Sequence, residues 1–154
     1  NSFSKSLALP GERIGYIAVN SRIENVKLLV NGLVFSNRIL GFVNAPALFQ
    51  KVVADSLNEA VDIESYKEKR DILYNHLVKL GFSCVKPQGA FYLFPKALID
   101  DDVEFAKRAV KYNLLIVPGS GFGYPGYFRL SYCINKETII NSLPAFEALV
   151  KEFK

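Results

Sequence analysis

Ser2-Phe3-Ser4-Lys5, followed after four residues by Pro10-Gly11-Glu12-Arg13-Ile14-Gly15-Tyr16, is the stretch from which the chain can be read. It carries two hydroxyls, an amine and a guanidinium, with the arginine eight positions after the lysine. Pro10-Gly11 is a turn signal, because proline presets φ and glycine accepts positive φ. Residues 13–19 are rich in Ile, Tyr and Val and alternate weakly, as a strand does. The stretch therefore predicts a hairpin, with one strand reaching Lys5 and the next starting at Arg13.

An aldehyde cofactor bearing a phosphate would use this set of groups. A lysine amine held neutral by desolvation or a nearby cation can form a Schiff base. An arginine fork grips a phosphate with two parallel hydrogen bonds, and a serine hydroxyl adds another donor. Pyridoxal phosphate (PLP) has both features. Ser-x-x-Lys followed at this spacing by Gly-x-Arg-x-Gly-Tyr resembles the PLP-lysine segment of the fold-type I aminotransferases of class I/II, the aspartate aminotransferase superfamily. The resemblance implies that Lys5 is the Schiff-base lysine and catalytic residue, and that Ser2 and Arg13 hold the cofactor phosphate.

The remainder of the chain narrows the function by exclusion. Its 154 residues suit one ordinary domain, and half are hydrophobic, enough to build a core. The net charge of +4 is scattered: Lys67, Glu68, Lys69, Arg70 and Asp71 mix both signs, as a solvated helix face does. No basic stripe or stacking platform for nucleic acid is evident, no apolar run is long enough to span a membrane, and no signal peptide pattern opens the chain. Cys84 and Cys133 match no metal or redox spacing, so buried free thiols in a reducing compartment are expected. His76 has no second ligand type one turn away and is read as a surface or core-edge side chain; no metal site is expected. The chain starts with Asn and lacks Met throughout, which suggests a fragment or a processed chain.

Beyond the opening stretch, apolar periodicity predicts helices over 24–40, from Asn44 to about Val61, over 64–80, over 102–112 and over 136–153. Asn44 is read as the cap of the second of these, with Pro46 in its first turn. Gly41 and Gly81 are expected stops, and Pro144 an expected kink. Short strands are predicted over 82–86, 90–94, 114–117 and 127–134. In the last of these, Arg129, Ser131 and Cys133 share one face, and Phe128, Leu130, Tyr132 and Ile134 the other. This order has no repeating βαβ rhythm. It predicts an α+β fold: a mostly antiparallel sheet with helices on one face.

A second motif supports the first. The glycines of Pro118-Gly119-Ser120-Gly121-Phe122-Gly123 superficially match a dinucleotide-binding loop, but Pro125 and a strand follow where that loop needs a helix. Pro-Gly-x-x-Phe-Gly followed by a strand carrying Arg129 instead resembles the C-terminal signature of the same aminotransferase superfamily. Arg129 then corresponds to the residue that binds the substrate α-carboxylate, which a guanidinium can meet bidentately. Asn44-x-Pro46 with Gln50 is a third match in the same order.

The resemblance implies a small C-terminal domain of an aminotransferase, preceded by a remnant hairpin of the large PLP-binding domain. On this reading residues 1–22 are the remnant, and 23–154 are an interdomain helix and the small domain. It implies a PLP-dependent exchange of an amino group between an amino acid and a 2-oxo acid, in a cytoplasmic enzyme that is a homodimer when full-length. The family's chain is much longer, and its upstream part supplies the acidic partner of the cofactor's ring nitrogen. Asp55 and Asp71, on predicted exposed helix faces, do not fill that role, so the fragment alone is expected to be inactive. A PLP-dependent lyase or synthase of the same superfamily, or a non-enzymatic ligand-binding domain, is the alternative.

Overall fold

The structure, a computed structural model, describes residues 1–153. In chain order the elements are α1 (Phe3–Ser6), α2 (Val26–Ile39), α3 (Ala47–Asp55), α4 (Ile63–Lys79), β1 (Tyr92–Leu93), α5 (Asp102–Val110), β2 (Val117–Pro118), a 3-10 turn (Gly119–Phe122), β3 (Phe128–Ser131) and α6 (Lys136–Lys151). They group into two compact units, Asn1–Val61 and Asp62–Lys154. The fold is α+β, as expected, and the sheet formed by the described residues is antiparallel throughout, in the order β1-β3-β2.

The second unit holds the large core. Phe82 is at its centre, meeting Phe105, Phe128 and Phe146 edge-on at centroid distances of 6.2, 5.6 and 6.4 Å. Such pairs add about 0.5–1.5 kcal/mol each beyond the area they bury. Leu73 and Leu77 of α4, and Ile139, Phe146, Leu149 and Val150 of α6, close around them. Along β3, Phe128 and Leu130 are buried while Arg129 and Ser131 are partly exposed, which is the predicted alternation. Register places Tyr92 opposite Ser131 and Val117 opposite Arg129.

Residues 82–86 do not form the predicted strand. Gly81 adopts φ +99°, and the N–H groups of Gly81 and Phe82 return to Val78 and Leu77, closing α4 in a Schellman motif. The apolar character of Phe82 serves that closure and the core, not a sheet. The strand predicted over 90–94 reduces to Tyr92 and Leu93, which pair with β3. The helix stops are as expected: Gly41, at φ +84°, ends α2 through the same pair of bonds, to Arg38 and Asn37.

The first unit departs further from expectation. Pro46, not Asn44, stands at the N-cap of α3, and the helix ends at Asp55 rather than near Val61. The apolar stripe of α2 is real, yet none of its residues is buried, and Leu28, Phe35 and Ile39 are largely exposed. The thiols also differ from expectation: Cys84 is only half-buried and Cys133 is exposed. His76 is at the core edge, with Nε2 3.1 Å from the Leu143 carbonyl of α6. That helix continues through Pro144 to Lys151.

Candidate functional site

The opening stretch does not form two strands. Ser2 caps the single-turn helix α1, its hydroxyl accepting from the Ser4 N–H at 3.2 Å, so Lys5 is helical and exposed. The chain turns over Pro10 to Arg13, and Arg13 itself takes φ +52°. A left-handed arginine cannot begin a strand, and the expected 13–19 strand reduces to one antiparallel bridge, Ser2 opposite Gly15. Around it the Phe3 N–H donates to the Ile14 carbonyl at 3.1 Å, and the Tyr16 N–H to the Asn1 carbonyl at 2.9 Å. Gly15 permits this approach, since a Cβ there would lie 2.6 Å from the Asn1 carbonyl oxygen.

The bridge brings Ser2 and Arg13 together although the strands are missing. With Ser4, Ile14 and Gly15 they line a pocket of about 160 Å³. Two serines and an arginine around one small polar cup have the donor types that suit the phosphate end of the cofactor. One guanidinium nitrogen of Arg13 donates to the Pro10 carbonyl at 2.8 Å, which anchors the side chain across the turn. Lys5 is next to this cup in sequence but is not among the residues lining it.

Arg129, in the second unit, occupies the middle of β3. Its guanidinium carbon is 4.5 Å from the centroid of the Tyr92 ring and 4.2 Å from that of Phe122. Both distances are well within cation–π range. Among the described residues its side chain has no ion-pair or hydrogen-bond partner. Two rings orient the planar group while its N–H donors stay available, and a planar fork of available donors suits a carboxylate.

The turn that carries Phe122 is tightly built. A Cβ on Gly119 would sit 2.3 Å from the Tyr124 carbonyl oxygen and 2.8 Å from that of Tyr127, so only glycine fits. The Gly119 N–H donates to Tyr127 at 2.7 Å, and the next amide, of Ser120, donates to Asp102 Oδ2, also at 2.7 Å. Asp102 is 4% exposed and, among the described residues, is the buried charged side chain. The Ser120 backbone N–H, foremost, holds its carboxyl below the usual range, against the opposing effect of burial.

Asp101 and Asp102 stand side by side at the start of the helix predicted over 102–112. In the structure they divide the work, Asp101 capping α5 through the Glu104 N–H at 2.8 Å and Asp102 facing the loop. The signal was present: Asp102, Phe105, Ala106 and Ala109 fall on one buried face, where a carboxylate needs a partner. Asp71, expected on an exposed face, is instead bound by Arg70 Nε at 2.7 Å and Lys86 Nζ at 3.0 Å.

The profile of the family "Aminotransferase class I and II" matches residues 1–145. The chain belongs to that family, whose members use PLP. It is 30% identical over 148 residues to an aspartate aminotransferase of Thermotoga maritima, covering 96% of this chain and 38% of that protein. It is 35% identical over 156 residues to a probable aspartate aminotransferase of Methanocaldococcus jannaschii, covering 93% and 40%. A crystal structure of an aminotransferase from Eubacterium rectale superposes with a TM-score of 0.84 at 46% identity, over 99% of this chain and 38% of that one. The chain thus spans about 40% of the length of the curated relatives it matches. These relatives are named as aminotransferases, which does not favour the lyase or synthase alternative. Among the described residues no helix is long and apolar enough to cross a membrane.

Proposed function

We propose that the chain is part of a PLP-dependent aminotransferase that moves an amino group between an amino acid and a 2-oxo acid, and that it contributes two grips to that reaction. The observation that carries this reading is Arg129, a guanidinium oriented by two rings and unpartnered among the described residues, within a chain whose family acts on α-amino acids. Ser2 and Arg13, with Ser4 beside them, would bind the cofactor phosphate. Bound PLP would serve as the electron sink that labilises the substrate Cα proton. Lys5 would bond to the cofactor aldehyde at rest and, once displaced, carry the proton from Cα as a base. Arg129 would fix the substrate through its carboxylate and so set which bond is presented for reaction. A homodimer in the cytoplasm is the proposed setting of the full-length enzyme, in keeping with the family resemblance.

Alone, the chain should not turn over. Mixed with PLP, an amino acid and a 2-oxo acid it is expected to show no amino-group exchange, and robust exchange would contradict the partial-site reading. The assignment of the lysine is tested separately, by borohydride reduction of the PLP-treated full-length enzyme followed by peptide mass spectrometry. A pyridoxyl mass on the peptide containing Lys5 is expected, and the label on another lysine would remove Lys5 from the proposal. In the same enzyme Arg129→Lys should raise the KM for the amino acid while leaving PLP affinity nearly unchanged.

A further inference from the structure

We propose that Asp102 is a positioning residue for the carboxylate grip: through the Ser120 amide it sets the turn that holds the Phe122 ring against the Arg129 guanidinium. The role of the grip rests on the reading of Arg129 given above; the positioning itself rests on geometry.

Phe122 is 47% exposed, so core packing alone does not set its place. Its position follows from the backbone two residues earlier. There, two successive amides are tied to different elements: Gly119 to the Tyr127 carbonyl beside β3, and Ser120 to Asp102 at the start of α5. Within the turn, the Gly123 N–H returns to Ser120 and the Tyr124 N–H to Gly119, both at 3.0 Å, so the turn moves as one piece. Releasing the Ser120 tether would leave it held by the Gly119 bond and by edge contacts such as Phe94 with Phe122, at 6.3 Å.

A buried carboxylate is an expensive way to hold a loop unless its direction matters. Unpaired it would be strongly unfavourable, whereas in the first turn of α5 and bonded to an amide it is well placed. The bond is charge-assisted and short, and it fixes angle as well as distance. Ring placement needs that precision, because cation–π attraction weakens once the cation leaves the ring face.

The test is NMR on the full chain, with the Arg129 side-chain signals assigned through Arg129→Lys. In the wild type the Arg129 Hδ protons should be shifted upfield by the flanking rings. Phe122→Leu defines the loss due to that ring alone. Asp102→Asn is expected to lose most of the same shift, whereas Asp101→Ala, which removes only the helix cap, should retain it. An unchanged Arg129 shift in folded Asp102→Asn overturns the proposal. Should that variant not fold, the wild type decides: a scalar coupling across the hydrogen bond from Ser120 N to the Asp102 carboxyl carbon is expected, and its absence alongside a ring-shifted Arg129 overturns it equally. Succinate then probes the grip. It should move the Arg129 Hε signal, with affinity about threefold to tenfold weaker in Asp102→Asn, the worth of one partly exposed cation–π contact. If succinate leaves wild-type Arg129 unmoved, the carboxylate reading of Arg129 fails while the ring-shift comparison still decides the role of Asp102.

Discussion

Two glycines and one carboxylate show how little room single positions have here. Gly15 and Gly119 both stand where a Cβ would strike a backbone carbonyl, at 2.6 and 2.3 Å. Gly119→Ala should therefore destabilise the second unit by about 1–3 kcal/mol, the usual cost of overpacking, read as a lower urea midpoint. Gly15→Ala should act locally, opening the Ser2 bridge and speeding hydrogen exchange at the Phe3 and Tyr16 amides. Asp71 gives a pH signature. The Arg70 hydrogen bond, then that of Lys86, lowers its carboxyl to about 2 from 3.8. Because the folded value is the lower one, this stabilisation is complete above about pH 3.8 and is lost as pH falls toward 2. The gap in urea midpoint between wild type and Asp71→Asn should narrow over that interval, and a gap independent of pH would refute the assignment.

Among the elements, the helices of the second unit begin and end on local chemistry. Asp62, Asp101 and Asn135 accept backbone N–H bonds at the starts of α4, α5 and α6. Asp101→Ala should cost about 1 kcal/mol, measured by denaturation, as a lost N-cap does. Gly81→Ala forces a side chain into φ +99° at the end of α4 and should cost a similar amount, about 1 kcal/mol. The β elements are much shorter than their apolar patterns suggest. Strands need partners, and in the second unit the residues of β1 and β2 find theirs in β3; Phe82, equally apolar, finds the core instead.

For the molecule as a whole, burial is uneven. The contiguous core lies in Asp62–Lys154, whereas Asn1–Val61 buries only Ile14 and Val53 among its hydrophobic side chains. A unit so thinly packed opens at low free energy. Hydrogen exchange should show protected amides along α4 and α6 and fast exchange along α2 and α3. Equal protection in both units would contradict this. The exposed apolar side of α2 belongs to a chain that spans about 40% of its relatives' length, and it accounts for the low protection expected there.

The helices of the second unit, the glycine stops at Gly41 and Gly81, the α+β class and the alternation around Arg129 were legible in the sequence. Each depends on spacing along the chain or on the φ one residue can adopt, so neighbouring residues suffice to determine it. Ser2 and Arg13 were paired by the family resemblance, and they line one pocket, but the form that joins them was not legible: a one-turn helix and a left-handed arginine stand where strands were expected, and a single bridge supplies the proximity. Only tertiary structure could flank Arg129 with Tyr92 and Phe122, or make Asp102 the tether of a loop 18 residues away. Those arrangements depend on which side chains are deprived of water together, and burial is decided by the whole fold at once.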